Sequence, residues 1–399
     1  MNTIGKSRGN TVGEDHMAEC ELLRELRNSP ELLDEVEHSV GSEFAAQERL
    51  RRRFPVPLVQ TAFSLWELRR RAAVKFSRAD RMWFDRVGLE QSTSEAIARH
   101  VAQRYSGRIY DFCSGIGGDS LALAERGDVI ALDINPAQSL RTQWNAEVYG
   151  VAERVQPVCM AVEDFTERDG LLRIDPDRRP DSAKRSIRIE EMQPAYEQLL
   201  PWMPEFRGGS IKLSPASNFL GKFPGTEIEL VSLNGECKEA TVWFGELAGH
   251  EPFRATVLPA NETLAGNPLA YRTAVSPVSQ YIYDPDPAVV RAGLVDLLAS
   301  KLGLERLDDS EEYLTSSQEV ISPFMQTFAV QAVLPNRLPD VRAYFRSHPH
   351  HEVEIKCRHL SIDAAKIRRQ LELKGDSRCV LLYAKTAGKA HAVIASRVR

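Results

Sequence analysis

Fourteen residues constrain this chain most, Asp111 to Ala124, "DFCSGIGGDSLALA". An apolar run ends in an acid, a glycine-rich turn follows, and a Leu/Ala stretch of helical composition takes over. Glycine lets the backbone turn through positive φ and lets a ligand approach the main chain closely. The same rhythm repeats downstream. "VIALDI" leads to "PAQSLRTQWNAEVYG", and "VQPVCMAV" leads to a short polar connection. "GLLRIDP" precedes the helical "EEMQPAYEQLLPWM", and "SIKLSP" closes the series. Strands alternating with helices predict an α/β fold built on a parallel sheet. After it, "TEIELVSLNGECKEATVWFGEL" reads as two strands turning at Asn234-Gly235, a hairpin signal.

The rest of the chain frames this sheet. Residues 1–16 are polar without apolar period and are expected to be disordered. Residues 17–105 read as a helical segment, whose last helix, "STSEAIARHVAQRY", opens with Ser92 and Glu95 at capping-box spacing. Residues 106–275 hold the sheet. Beyond it, 276–338 and 339–399 read as two small α+β modules; at 399 residues several folding units are expected.

Three cofactors use a strand, a glycine turn and a helix. A nucleoside triphosphate loop needs Gly-Lys-Ser/Thr at its end, whereas this turn ends in Gly117-Gly118-Asp119. A dinucleotide fingerprint from Gly115 and Gly117 finds Ser120 in its third glycine place. What fits is Asp111-x-Cys113-x-Gly115-x-Gly117, the acid-x-x-x-Gly-x-Gly turn of class I methyltransferases, whose cofactor is S-adenosylmethionine. Asp111 at the strand end offers a carboxylate toward the cationic amino acid part. Asp133, ending "VIALD", can accept both ribose hydroxyls. Asp164, in "VCMAVEDF", stands where an adenine amino group would be held. The competing reading is that these acids merely cap turns of a non-catalytic α/β domain.

"LEQSTSEAIARHVAQRY", "DFCSGIGGDSLALA", "DPDRRP", "IKLSP" and "NGECKE" together resemble the bacterial methyltransferases that carry a THUMP-like carboxyl domain. More distantly, the stretch from Asp111 to Val151 is similar to trimethylguanosine synthase, an RNA cap guanine-N2 methyltransferase. The first resemblance implies a Rossmann-like class I methyltransferase sheet, with a ferredoxin-like module over 276–338 and a THUMP-like one over 339–399. It also implies that "LEQSTSEAIA" covers the methionine end of the cofactor, which makes Gln91 and Thr93 candidate contacts, with plain helix capping as the alternative.

In an open α/β sheet the ligand lies beyond the carboxyl ends of the strands, so the loop after "GLLRI" should face the transferred methyl. It reads Asp175-Pro176-Asp177-Arg178-Arg179-Pro180. Exocyclic amino methyltransferases carry Asp/Asn-Pro-Pro-aromatic at this place. This chain keeps Asp175 and Pro176, but has Asp177 and Arg178 where the second proline and the ring would stand. Arg178 can stack on a base or hold a phosphate; an ion pair with Asp175 or Asp177 is the competing reading. Asp175, Pro176 and Arg178 are thus the candidate catalytic residues. Lys212 and Ser214 of "IKLSP" are expected to border the pocket, with a buried Ser capping a turn as the competing reading.

Charge suggests what the end modules do. From Val341 to Arg399 there are 13 Lys and Arg against 5 Asp and Glu, inside a chain of net formal charge −5. A basic module on an acidic body points to a polyanion. Lys366, Arg369 and Lys374, in and after "DAAKIRRQLELKG", can follow a phosphate backbone, unless this is a solvated amphipathic helix. "SHPHHEVEIKCRH" matches no common metal-ligand spacing, so no metal is expected. Six cysteines without CxxC pairing and the lack of an eighteen-residue apolar run suggest a cytoplasmic protein without a membrane segment. The expected activity is S-adenosylmethionine-dependent methylation of a base in structured RNA. Methylation of a small molecule or protein, and cofactor binding without catalysis, stay open.

Overall fold

The computed structural model describes the backbone of residues 8–39, 41–178 and 188–398, with side chains from residue 16 onward apart from 177 and 178. The chain divides into two units, Met1–Pro224 with Val242–Ala248, and Gly225–Thr241 with Gly249–Arg399.

The first unit opens with helices α1 (Arg8–Arg27), α2 (Pro30–Glu37), α3 (Glu43–Leu50), α4 (Val56–Ala72), α5 (Arg86–Gln91) and α6 (Glu95–Ala102). α1 begins inside the stretch 1–16 expected to lack structure. Once Leu23 and Leu26 are buried and Glu19 meets Arg141 at 2.5 Å, extending the helix toward its start adds one backbone bond per residue. The expected capping box does not form, because α6 starts at Glu95 itself. Ser77 donates to the Glu95 carboxylate from its amide at 2.6 Å and its hydroxyl at 3.0 Å, and Tyr149 from its hydroxyl at 2.9 Å. Ser92 instead donates to the Leu89 carbonyl.

Then come β1 (Gly107–Phe112), α7 (Gly118–Leu123), β2 (Gly127–Asp133), α8 (Pro136–Tyr149), β3 (Val155–Cys159), β4 (Leu171–Ile174), the short β5 (Asp177–Arg178) and β6 (Met192–Gln193), α9 (Tyr196–Trp202) and β7 (Gly208–Leu213). β1 lies between β2 and β4, with β3 beside β2 and β7 beside β4, all parallel. Crossover helices cover such a sheet on both faces, so its strands are apolar throughout. Ile109, Tyr110 and Phe112 of β1 and Leu171, Leu172 and Ile174 of β4 are accordingly buried. The alternation expected from sequence is thus the order found.

In the second unit, β8 (Glu227–Leu233) turns into β9 (Glu236–Gly245) through Asn234 at φ 53° and Gly235 at φ 80°, the two positive angles of a type I′ hairpin. β10 (Phe253–Leu258) runs parallel to β8, and β11 (Glu262–Gly266) antiparallel to β10. There follow β12 (Tyr281–Pro285), α10 (Pro287–Arg291), α11 (Val295–Leu302), β13 (Glu305–Arg306), β14 (Leu314–Ser316), β15 (Met325–Pro335), α12 (Leu338–Ser347), β16 (Glu352–Cys357), α13 (Ala364–Gln370), β17 (Arg378–Thr386) and β18 (Lys389–Arg397). These strands form one sheet in the order β13-β14-β12-β15-β18-β17-β16. The stretches read as two α+β modules therefore share a sheet, because β15 pairs with β18 from Phe328↔Arg397 to Pro335↔His391. β17 is buried on both faces: Val380 and Leu382 pack with Phe328, and Leu381 and Tyr383 pack with Phe345 of α12. Among the described residues no helix is long and apolar enough to cross a membrane.

Candidate active site

The glycine turn leaves β1 and enters α7 through three left-handed residues, Cys113 at φ 60°, Gly115 at φ 54° and Gly117 at φ 84°. At Gly117 a Cβ would also stand 3.0 Å from Thr142 Cγ2, so α8 closes on the main chain there. At Gly115 a Cβ would meet nothing within 4 Å, and that side of the turn is open. α8 holds the turn from behind: Thr142 Oγ1 donates to the Gly115 carbonyl, and Asn145 Nδ2 to that of Ile116, both at 2.9 Å. Asp133 ends β2 beside the turn. Its carboxylate accepts from the Gly115 amide at 2.9 Å and the Asn135 amide at 2.8 Å. Asp164 stands exposed beyond β3. The turn is thus open at Gly115 beside the Asp133 carboxylate at the end of β2.

Asp111 is placed deeper than its expected role implied. It is 1% exposed, and Ser120 Oγ donates to it. In register with it on β4 is Arg173, which is 0% exposed. Arg173 reaches Asp119 at 3.2 Å and donates to Ser210 Oγ at 3.2 Å. Thr93 Oγ1 donates to the other Asp119 oxygen at 2.9 Å, so this hydroxyl is engaged inward rather than free to serve as a cap. The buried guanidinium thus pairs with Asp119, and its charge is also felt by Asp111. Burial, reinforced by the charge of Asp119, pushes the Asp111 carboxyl up to about 7. Burial works the same way on Asp119, but Arg173 and Lys212 outweigh it and hold that carboxyl below the usual range.

Beyond β4, the Asp175 amide donates to the Phe112 carbonyl at 3.3 Å, and Pro176 is buried. Lys212 of β7 donates to Asp175 Oδ2 at 2.5 Å and to the Gln91 carbonyl at 3.4 Å. One ammonium therefore joins the segment expected over the methionine end to the loop expected to face the methyl group. Desolvation raises the Asp175 carboxyl, and Lys212 opposes it. The backbone of Asp177–Arg178 pairs with Met192–Gln193; the side chain of Arg178, and residues 179–187, lie outside the described residues. The structure so brings together Gln91, Thr93, Asp111, Asp133 and Asp175 in the first unit. Asp119, Ser120 and Arg173 escaped the sequence reading as site residues, although an arginine inside the apolar "LLRI" was a visible signal.

The other candidates lie in the second unit. Lys366, Arg369 and Lys374 are all exposed, on α13 and the residues after it. The histidines around β16 do not converge. His348 stacks on Tyr344 at 4.2 Å, His350 is buried against Ser377, and His359 meets Glu312 at 2.5 Å. The last pair lies with Glu311 in a group whose ligand-type atoms are within 4.8 Å of one another.

Comparison with known proteins gives two family matches. Residues 106–192 match a model described as RNA cap guanine-N2 methyltransferase, and residues 325–397 one described as THUMP domain-like. The chain is 32% identical over 324 residues to proteins of two Mycobacterium tuberculosis strains, each described as an uncharacterized S-adenosylmethionine-dependent methyltransferase. The alignment spans 77% of this chain and 87% of each relative. A crystal structure of a candidate methyltransferase from Porphyromonas gingivalis W83 superposes with TM-score 0.74 at 18% identity, over 95% of this chain and 98% of that one. That likeness is one of fold.

Proposed function

This chain belongs to the family of S-adenosylmethionine-dependent methyltransferases, and from that premise we propose that it methylates a base of a structured RNA. The observation that carries the reading is the row of acids at successive strand ends. Asp133 stands beside the open glycine turn, Asp164 is exposed beyond β3, and Asp175 stands beyond β4 on the other side of β1. In this reading Asp133 accepts from the ribose hydroxyls and Asp164 from the adenine amine. Asp119, held ionised, supplies negative charge under the amino acid part, with Asp111 beside it. The cofactor supplies a methyl carbon made electrophilic by a sulfonium. The protein supplies alignment and exclusion of water, which is most of what an in-line displacement requires. Asp175 and the Pro176 carbonyl accept from the target amine, and Arg178 replaces the missing aromatic platform.

Three observations favour RNA. The cofactor half matches the RNA cap guanine-N2 model, the carboxyl end matches the THUMP domain-like model, and the positive surplus of 341–399 sits in that end. Residues 106–275 would transfer the methyl group, while 276–399, carrying Lys366, Arg369 and Lys374, would hold RNA. The six free cysteines suit the reducing cytoplasm where such RNA is found. Incubation with methyl-tritiated S-adenosylmethionine and separate RNA, protein and metabolite pools tests this directly. Label is expected in RNA; label in protein or metabolites alone, or in none, would replace the reading. Mass spectrometry of RNA nucleosides from cells with and without the gene then gives the modified base.

A further inference from the structure

We propose that Lys212 is a positioning residue whose ammonium keeps Asp175 ionised and aimed, so that Asp175 can take the proton released by the methylated nitrogen. The inference rests on the amine reading of the site and adds to it a residue that sets the charge state there.

The geometry favours it. Asp175 leaves β4 where the acceptor is expected, and its Oδ2 accepts from Lys212 at 2.5 Å. Lys212 comes from β7, the strand paired with β4, so the contact is set by sheet register rather than by a loop. The Lys212 side chain is 14% exposed, and its ammonium also reaches the Gln91 carbonyl. Burial raises the Asp175 carboxyl, and a cation beside it opposes that rise. The charged groups facing it are Lys212 from β7, Asp119 from α7, Arg173 from β4 and Asp111 from β1. Arg173 is bonded to Asp119 and acts on Asp175 from a distance, whereas Lys212 is bonded to Asp175 itself and is the stronger of the two cations there.

The step balances without a further reactant. The acceptor nitrogen forms a bond to the methyl carbon as the sulfur–carbon bond breaks, and sulfur keeps that electron pair. The nitrogen then carries a positive charge and gives its proton to the Asp175 carboxylate, which passes it to solvent. A neutral Asp175 could not take that proton.

The test uses the full-length protein and two readouts. Infrared difference titration of wild type against Asp175→Asn reads the ionisation of this carboxyl with no acceptor present. Opposite charge at this range lowers a carboxyl pKa by about 1–3 units, so Lys212→Met and Lys212→Gln should raise the midpoint by about that much, while Lys212→Arg restores it. With total bacterial RNA as acceptor, the acid limb of turnover should move in parallel, and the KM for S-adenosylmethionine should stay within about twofold. An unchanged infrared midpoint in both neutral variants would overturn the proposal. So would an affinity loss of about tenfold or more for the cofactor with no midpoint shift, which would make Lys212 a ligand of the cofactor carboxylate. If wild type labels no RNA, the RNA reading fails, while the infrared titration still decides the role of Lys212.

Discussion

Arg173 sits in a strand whose other members are aliphatic, with its guanidinium inside the protein and Asp119 at 3.2 Å. Breaking such a pair by removing one partner leaves an unpaired buried charge, at a cost of about 3–5 kcal/mol. Arg173→Met should therefore lower the urea midpoint strongly, and Arg173→Met with Asp119→Asn should recover part of the loss. Asp111 carries a pH signature. Its folded carboxyl lies at about 7 against an ordinary 3.8, so the neutral form favours folding. That stability is fully present below about pH 4 and is lost as pH rises through about 7. Asp111→Asn should remove this loss, so the variant gains on wild type in urea midpoint between about pH 5 and pH 8. Asp133 answers to binding instead. Hydrogen bonds to charged groups are worth about 1.5–3 kcal/mol, so Asp133→Ala should weaken S-adenosylmethionine binding by calorimetry about ten- to hundredfold. Asp175→Ala should leave that affinity in place and lower turnover. Unchanged affinity in Asp133→Ala would remove the ribose assignment.

The helical segment and the cofactor turn act as one at the scale of elements. Gly88 of α5 lies so close to the turn that a Cβ there would stand 2.4 Å from Ile116 Cγ2. Gly88→Ala should push Ile116 and with it the amides of the turn. We expect destabilisation of about 1–3 kcal/mol from overpacking, with a weaker affinity for S-adenosylmethionine beyond what Gly→Ala does at a solvated helix position. Denaturant titration and calorimetry on the same preparation check both. The hairpin β8–β9 behaves differently, since its turn is local: Asn-Gly is read from two adjacent letters and is found with the expected angles. The capping box at Ser92–Glu95 was equally local and does not form, because Ser77 and Tyr149 take the Glu95 carboxylate. A short-range signal survives only when no distant group competes for the same atom.

For the whole molecule, the question is whether the basic carboxyl end meets RNA. Each phosphate neutralised releases counterions, so affinity falls with salt, by a log–log slope of about −0.7 per contact for single strands. Changing Lys366, Arg369 and Lys374 together to Ala should flatten that slope by about 2–3 units if all three contact phosphate, read by filter binding of total RNA across salt. An unchanged slope would mark them as a solvated helix face. All three are exposed, as the amphipathic pattern of α13 predicts, while Ile367 between them packs on the core.

The order of strands and helices around the glycine turn, and the place of Asp133 at the end of β2, were legible in the chain alone. Each depends on residues a few positions apart, where apolar period and turn chemistry act directly. The charged core of the site was not. Arg173 and Asp119 are 54 residues apart, and Lys212 and Asp175 are 37 apart. Their pairing depends on which strands lie side by side, which no local pattern encodes. Tertiary structure decided the merging of two expected modules into one sheet for the same reason, through β15 and β18. It also decided the charge state of Asp111, since desolvation exists only once the chain has closed around the carboxylate.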